Sequence, residues 1–353
     1  MSHDIKKILA EMRPSVDAEI EKIVPRKFDE KSLARLCGKP RYEYDLETAT
    51  KAIAEPIWDL LDRGGKRWRP VLLLLTAEAF GGDLEKIKPF CALPEIVHNG
   101  TLMIDDIEDS SELRRGKPCT HKIYGVDVAI NAGNAMYYLP LPLFRETKLD
   151  PKVLNKAFEI YYREMIRVSF GQAFDIWWHK GKAAKVTEAQ YLQMCAYKTG
   201  CLARMAAQMG AVLANADDKR VAAVGKYAEA LGVGFQIQDD VLNLVGEKFG
   251  ELKGVGEDIH EGKRTLVAIH CLERAPAAKA KRLREILDKH TENPKEIAEA
   301  IEIMKSTGSI EYAKAKAREL ASNAWAELEP LLPEGGAKEK LDAFTRYLVE
   351  REI

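Results

Sequence analysis

No stretch of this chain is long and apolar enough to cross a bilayer: "VLLLLTAEAF" is too short, and "MSHDIKKILAEMRPSVDAEIEKIV" at the start is charged and amphipathic, unlike a signal peptide. Net charge is nearly absent too, with 54 basic residues against 55 acidic ones. No global field therefore recommends nucleic acid or an anionic membrane as partner, and any electrostatic function must be local. The six cysteines, at 37, 91, 119, 195, 201 and 271, show neither metal-ligand spacing nor a disulfide framework. Low-complexity linkers, repeats at a solenoid period and strand-like alternation are missing or scarce. Together these absences predict a soluble, cytoplasmic protein.

What is present is helical periodicity. Apolar residues recur at three- and four-residue steps through most of the 353 residues. Helix starts are marked by Asp45 before "LETATKAIAEPIWDLLDR", by Asp150 and Pro151, and by Thr187 before "EAQYLQMCAYKTGCLARMAAQMGAVLA". Gly64 with Gly65 and Gly81 with Gly82 read as stops. The expectation is an all-α fold: a single large helical bundle around a central cavity, spanning 1–353, with about ten or more helices and a motif-free helical extension over 1–44.

Two acidic clusters end apolar helices. In "HNGTLMIDDIEDSSELRRG", Asp105 and Asp109 are four apart and share a helix face, with Asp106 beside them. A hard divalent ion such as Mg²⁺ would relieve their repulsion and complete its shell with water and phosphate; a solvated acidic helix end would also explain this cluster alone. "LGVGFQIQDDVLNLVGE" repeats the arrangement with Asp239 and Asp240, and Asn243 stands one turn on, where it can still offer a carbonyl oxygen. If they faced each other, the clusters would clamp a diphosphate through several metal ions. Cations accompany them: Lys66, Arg67 and Arg69 in "GGKRWRP", Arg114 and Arg115, Lys198 with Thr199 in "YKTG", and Lys253, Lys263 and Arg264 in "KGVGEDIHEGKRT". Arginine and lysine suit phosphate oxygens, and the two groups suggest two anionic ligands. Each group alone would pass for a solvated surface.

From about Ile53 to about His270, "GGKRWRP", "HNGTLMIDDIEDSSELRRGKP", "GQAFDIWW", "YKTG", "GFQIQDDVLNL" and "KGVGEDIHEGKRT" follow one another in an order that resembles the trans-isoprenyl diphosphate synthases, the polyprenyl synthetase family. The resemblance implies the isoprenoid synthase fold and a condensation of isopentenyl diphosphate with an allylic diphosphate. It implies that Lys66, Arg69, His98 and Arg115 bind isopentenyl diphosphate. Asp105, Asp109 and Asp239 would hold Mg²⁺, three ions with substrate bound, with Asp106 nearby. Arg114, Lys198, Lys253 and Lys263 would hold the allylic diphosphate, assisted by Thr199 and Gln236. Gln172 and Asp175 fit a supporting helix, Trp177 and Trp178 read as packing, and His98 read by helix pattern alone is a hydrogen-bonded core histidine. A homodimer is expected by the same likeness. Asn243, in place of a third aspartate, and the "KGVGEDI" spacing resemble geranylgeranyl rather than farnesyl diphosphate synthases.

No Ser-His-Asp or Cys-His constellation is expected, because metal ions and cations stabilise the departing diphosphate and that diphosphate then removes a proton. Product length would follow tunnel depth below Asp105, where Val97, Gly100 and Thr101 are small. Each added isoprene unit buries carbon worth on the order of 4 kcal/mol, so the expectation is a twenty-carbon product, or twenty-five carbons unless Tyr137, Tyr138 or Phe174 stops the chain deeper. Gly100 has a second reading as a point of close helix packing. Two rivals are a class I terpene cyclase, which has no use for "GGKRWRP" and Arg115, and a silent regulatory subunit, which would not keep both acidic clusters.

Overall fold

The computed structural model describes residues 4–183, 185–245 and 256–350. Its helices of eight residues or more are α1 (Ile5–Ile23), α2 (Glu30–Cys37), α3 (Glu55–Asp62), α4 (Trp68–Ala79), α5 (Ala92–Glu108), α6 (Val126–Tyr138), α7 (Pro151–His179), α8 (Glu188–Cys195), α9 (Cys201–Leu213), α10 (Asp218–Val245), α11 (Leu266–Arg274), α12 (Ala277–Lys289), α13 (Pro294–Ser306), α14 (Ser309–Leu328) and α15 (Gly336–Glu350). The all-α expectation holds. The strands among the described residues are β1 (Leu113–Arg114) and β2 (Lys117–Pro118), an antiparallel hairpin. The chain divides into two compact units: 1–159 with 206–217, and 160–205 with 218–353.

In the first unit the cap residues read from sequence act as caps. Asp45 accepts from Thr48 N–H at 2.9 Å, and the chain passes through a π-helical turn, Thr50–Ala54, into α3. Gly64 and Gly65, both at positive φ, end α3 and lead into α4, which is buried nearly all round. α5 lies against α1, α4 and α6, burying Leu93, Ile96, Val97 and Met103. The motif-free N-terminal segment belongs to this unit: α1 is capped by Asp4 and buries Ile5, Leu9, Val16, Ile20 and Ile23.

In the second unit Thr187 and Gln190 form a reciprocal capping box at the start of α8. The stretch read as one helix from Glu188 is interrupted by a π-helical turn at Ala196–Gly200, which joins α8 to α9 and carries Lys198 and Thr199. Such widened turns recur at functional sites. α10 packs on α14 and on this turn. Val233, Ile237, Val241, Ile310, Ala313 and Ala317 belong to the shared core, and Tyr227 ties α10 to α15 through the Leu341 carbonyl at 2.9 Å.

Candidate active site

The first acidic cluster forms where α5 stops. Asp109 closes the last turn with its N–H on the Asp105 carbonyl, 2.9 Å away, so the two half-buried side chains sit one turn apart. Asp106 behaves differently. It is 1% exposed, and its Oδ1 accepts from Arg114 Nε at 2.8 Å and from Nη2 of the same guanidinium, whereas Asp105 Oδ2 is 3.9 Å from that nitrogen. Burial works against the Arg114 cation, but Asp106 outweighs it and raises the pKa. Among the described residues no three metal-ligating side chains gather at one point. Two carboxylates on one helix end fit an ion that keeps much of its water and takes phosphate oxygens besides.

Beyond α5, Arg115 and Gly116, at φ 53° and 75°, make the two-residue turn of the β1–β2 hairpin. The Arg115 guanidinium donates to the carbonyls of Leu60, at 3.2 Å, and Gly64, and to Asn99 Oδ1 at 3.2 Å. Lys66 is exposed, while Arg69 is buried with its guanidinium 4.3 Å from the Trp68 ring centre. Burial, and then the charges of Arg69, Arg115, Arg114 and Arg67, hold His98 well below the ordinary imidazole range, so the ring is neutral. These are the residues the resemblance gave to isopentenyl diphosphate, and all lie in one unit.

Sequence reasoning missed what anchors them. Arg67, one of the loop cations, is 2% exposed and left-handed at φ 52°. It is held by Asp17 of α1 at 2.8 Å, by Glu95 at 2.9 Å and by the Leu61 carbonyl at 3.0 Å. The N-terminal segment therefore supplies a partner to the "GGKRWRP" loop, although nothing in its own sequence marks Asp17.

In the second unit Lys198 Nζ donates to Asp175 Oδ2 at 2.6 Å. Burial opposes ionisation of Asp175, but Lys198 and Lys263 hold its carboxyl below the usual range. Thr199 Oγ1 donates to Gln236 Oε1 at 2.8 Å, Gln236 Nε2 to Asp240 Oδ1 at 2.8 Å, and the Tyr191 hydroxyl to Asp240 Oδ2 at 2.6 Å. Burial, with Asp258 nearby, pushes Asp240 up to about 7. Asp240 thus orients Gln236 and Thr199, while Asp239 beside it is half-buried. Asn243 Oδ1 already has a partner on the chain. It accepts from the Asp258 N–H at 3.2 Å, and its carbonyl accepts from Gly256. Lys263 lies 3.6 Å from Asp258 and also pairs with Glu261. Lys253 lies outside the described residues.

Three readings change. Gly100 is not an open tunnel wall: a Cβ there would lie 2.8 Å from the Gly133 carbonyl oxygen and 2.9 Å from Met136 Cβ on α6, with Tyr137 at 3.1 Å. Close packing of α5 on α6 is its role. Val97 is fully buried, and Thr101, half-buried, donates to the His98 carbonyl at 2.8 Å. Tyr138 is 66% exposed and so does not line the inside of its unit. Trp177, read as packing, is 60% exposed, whereas Trp178 and Phe174 do pack on the second unit's core.

The polyprenyl synthetase family model matches residues 50–304. A short chain isoprenyl diphosphate synthase of Methanocaldococcus jannaschii is 41% identical over 255 residues, 72% of this chain and 76% of that one. The crystal structure of geranylgeranyl pyrophosphate synthetase from Pyrococcus horikoshii superposes with a TM-score of 0.85 at 29% identity, covering 99% and 98% of the two chains. That of polyprenyl synthase from Caulobacter crescentus, complexed with calcium and isoprenyl diphosphate, gives 0.83 at 25% identity over 99% of each. The chain belongs to the polyprenyl synthetase family.

Proposed function

We propose that this chain condenses isopentenyl diphosphate head to tail, 1′ to 4, with an allylic diphosphate, giving a trans-polyprenyl diphosphate and releasing diphosphate. The main product is geranylgeranyl diphosphate, with twenty-five carbons as the longer alternative. One observation carries the reading. Adjacent arginines on one hairpin are prepared differently: Arg114 is locked by Asp106 beside the Asp105 and Asp109 pair, and Arg115 is held by neutral oxygens near His98 and Arg69. A chain that ionises one diphosphate and holds a second needs both kinds of handle; a cyclase needs only the first.

Lys66, Arg69, His98 and Arg115 hold isopentenyl diphosphate, His98 as a neutral donor or acceptor. Arg114, Lys198, Lys253 and Lys263 hold the allylic diphosphate. Magnesium ions, three with substrate bound and held by Asp105, Asp109 and Asp239, supply the positive charge that offsets the charge gathering on the departing diphosphate; the calcium in the Caulobacter relative supports a divalent ion. Thr199 and Gln236, fixed in orientation through Asp240, present oxygens to the allylic cation. Asp175 accepts a hydrogen bond from Lys198 at 2.6 Å and so positions its ammonium. None of the described helices is long and apolar enough to cross a membrane, all six cysteines are free, and we place the enzyme in the cytoplasm as a single catalytic domain. We also place it as a homodimer, with Tyr162, Ile166 and Phe170, exposed one turn apart on α7, against a second copy.

The test is product analysis after incubation with Mg²⁺, isopentenyl diphosphate and each of dimethylallyl, geranyl and farnesyl diphosphates. Elongation to twenty carbons is expected. Cyclic hydrocarbon from geranylgeranyl diphosphate alone, with isopentenyl diphosphate unused, would sink the reading.

A further inference from the structure

Asn99 follows His98 in the first motif and has no part in the chemistry above. Its amide is fixed on both sides. Nδ2 donates to the Glu95 carbonyl at 2.8 Å and to Glu95 Oε1 at 3.1 Å, while Oδ1 accepts from Arg115 Nη2 at 3.2 Å. Turning the amide over would set its NH₂ against a guanidinium and its oxygen against a carboxylate, so Glu95 dictates which atom faces Arg115.

The charges around Arg115 give this orientation a purpose. Arg63 pairs with Asp59, Arg67 with Asp17 and Glu95, and Arg114 with Asp106. Arg115 differs: its hydrogen-bond partners among the described residues are the neutral oxygens of Leu60, Gly64 and Asn99. Burial and the neighbouring charges of Arg67 and Arg114 pull its pKa down to about 10, against the attraction of Glu95. The positive charge at this point is held in place but left uncancelled, and a half-buried cation in that condition gains from an arriving anion.

We propose that Asn99 is a positioning residue which, with its amide locked by Glu95, holds the Arg115 guanidinium for isopentenyl diphosphate without neutralising it. This rests on the reading above that Arg115 binds that diphosphate. A neutral acceptor serves where a carboxylate does not: aspartate at 99 would grip the guanidinium more strongly and cancel the charge the phosphate needs, and leucine would leave buried groups of Glu95 and Arg115 without a partner.

The experiment measures kcat and the KM of each substrate for the full-length enzyme and for Asn99→Leu, Asn99→Asp, Arg115→Ala and the double variant Asn99→Leu/Arg115→Ala. Asn99→Leu is expected to raise the KM for isopentenyl diphosphate about tenfold, as one hydrogen bond to a charged group predicts, with the allylic KM moving by less than about twofold. Asn99→Asp raises the same KM despite its stronger bond, and the double variant is no worse than Arg115→Ala. A wild-type KM in Asn99→Asp, or losses that multiply in the double variant, overturns the proposal while leaving the role of Arg115 intact. An unchanged isopentenyl diphosphate KM in Arg115→Ala overturns the underlying assignment and the proposal together. If Asn99→Leu does not fold, Asn99→Asp alone and combined with Arg115→Ala decides.

Discussion

Gly171 of α7 lies directly against the main chain of Lys198: a Cβ on the glycine would come within 2.7 Å of Lys198 Cα and 2.6 Å of the Tyr197 carbonyl carbon, and closer still to the Lys198 nitrogen. The obstructing atoms are backbone, which cannot turn aside as a side chain can. Gly171→Ala must therefore push α7 and the π-helical turn apart, at a cost of about 1–3 kcal/mol or more. The expected result is a lower melting temperature together with a raised KM for the allylic diphosphate, because Lys198 and Thr199 ride on that turn. Thermal denaturation and steady-state kinetics check it. A variant that melts and turns over like the parent would show that the contact is slack.

Gly100 and Thr101 are neighbours with different consequences. Gly100→Ala meets α6 backbone and costs about 1–3 kcal/mol, seen as a lower melting temperature with the product still at twenty carbons. Thr101→Phe, at a half-buried position, is the substitution expected to shorten the product to fifteen. Chromatography of dephosphorylated products separates the cases. A shortened product from Gly100→Ala, or an unchanged one from Thr101→Phe, goes against this assignment.

What was legible in the sequence was whatever obeys local rules. Asp45 and Thr187 cap helices because a side-chain oxygen and a free N–H a few residues on need each other wherever they occur, and Asp105 and Asp109 share a face because helical spacing puts them there. Asn243 shows that spacing gives position but not partner: its oxygen accepts from the Asp258 N–H, fifteen residues away. Asp17 and Glu95 were invisible for the same reason, since their worth depends on a buried Arg67 that only the fold brings to them. The small size of Gly100 was equally compatible with an open tunnel and a closed helix contact, and sequence holds nothing that decides between them.

His98 predicts a pH effect on stability. Burial and four guanidinium groups keep the folded-state pKa well below 6.5, while in the unfolded chain the ring titrates near about 6.5. Below that pH the unfolded state binds a proton that the folded state refuses, so this residue's contribution weakens stability as pH falls and leaves it unaffected above. His98→Gln removes the term. The variant is expected to lose less stability than the parent between pH 7 and pH 5, measured by urea denaturation at each pH. Parallel curves for the two proteins would mean that the imidazole is protonated in the fold.

Asp105, Asp106 and Asp109 sit within one helical turn, yet removing their charges has two different outcomes. Asp105 and Asp109 are assigned to the metal, so Asp105→Asn and Asp109→Asn raise the Mg²⁺ concentration needed for half-maximal activity and leave the melting temperature of the metal-free protein close to the parent's. Asp106 is buried on Arg114, itself only 9% exposed. Asp106→Asn strands that guanidinium, for which a loss of about 3–5 kcal/mol of stability is the usual scale, and frees it from the geometry in which we propose it meets the allylic diphosphate. Its signature is a lower melting temperature and a higher allylic KM, with the Mg²⁺ requirement unmoved. Chelation of the metal is expected to abolish turnover in every one of these proteins. Should Asp106→Asn shift the magnesium titration as far as Asp105→Asn does, the division of labour within the cluster is wrong, and all three carboxylates act on the ion.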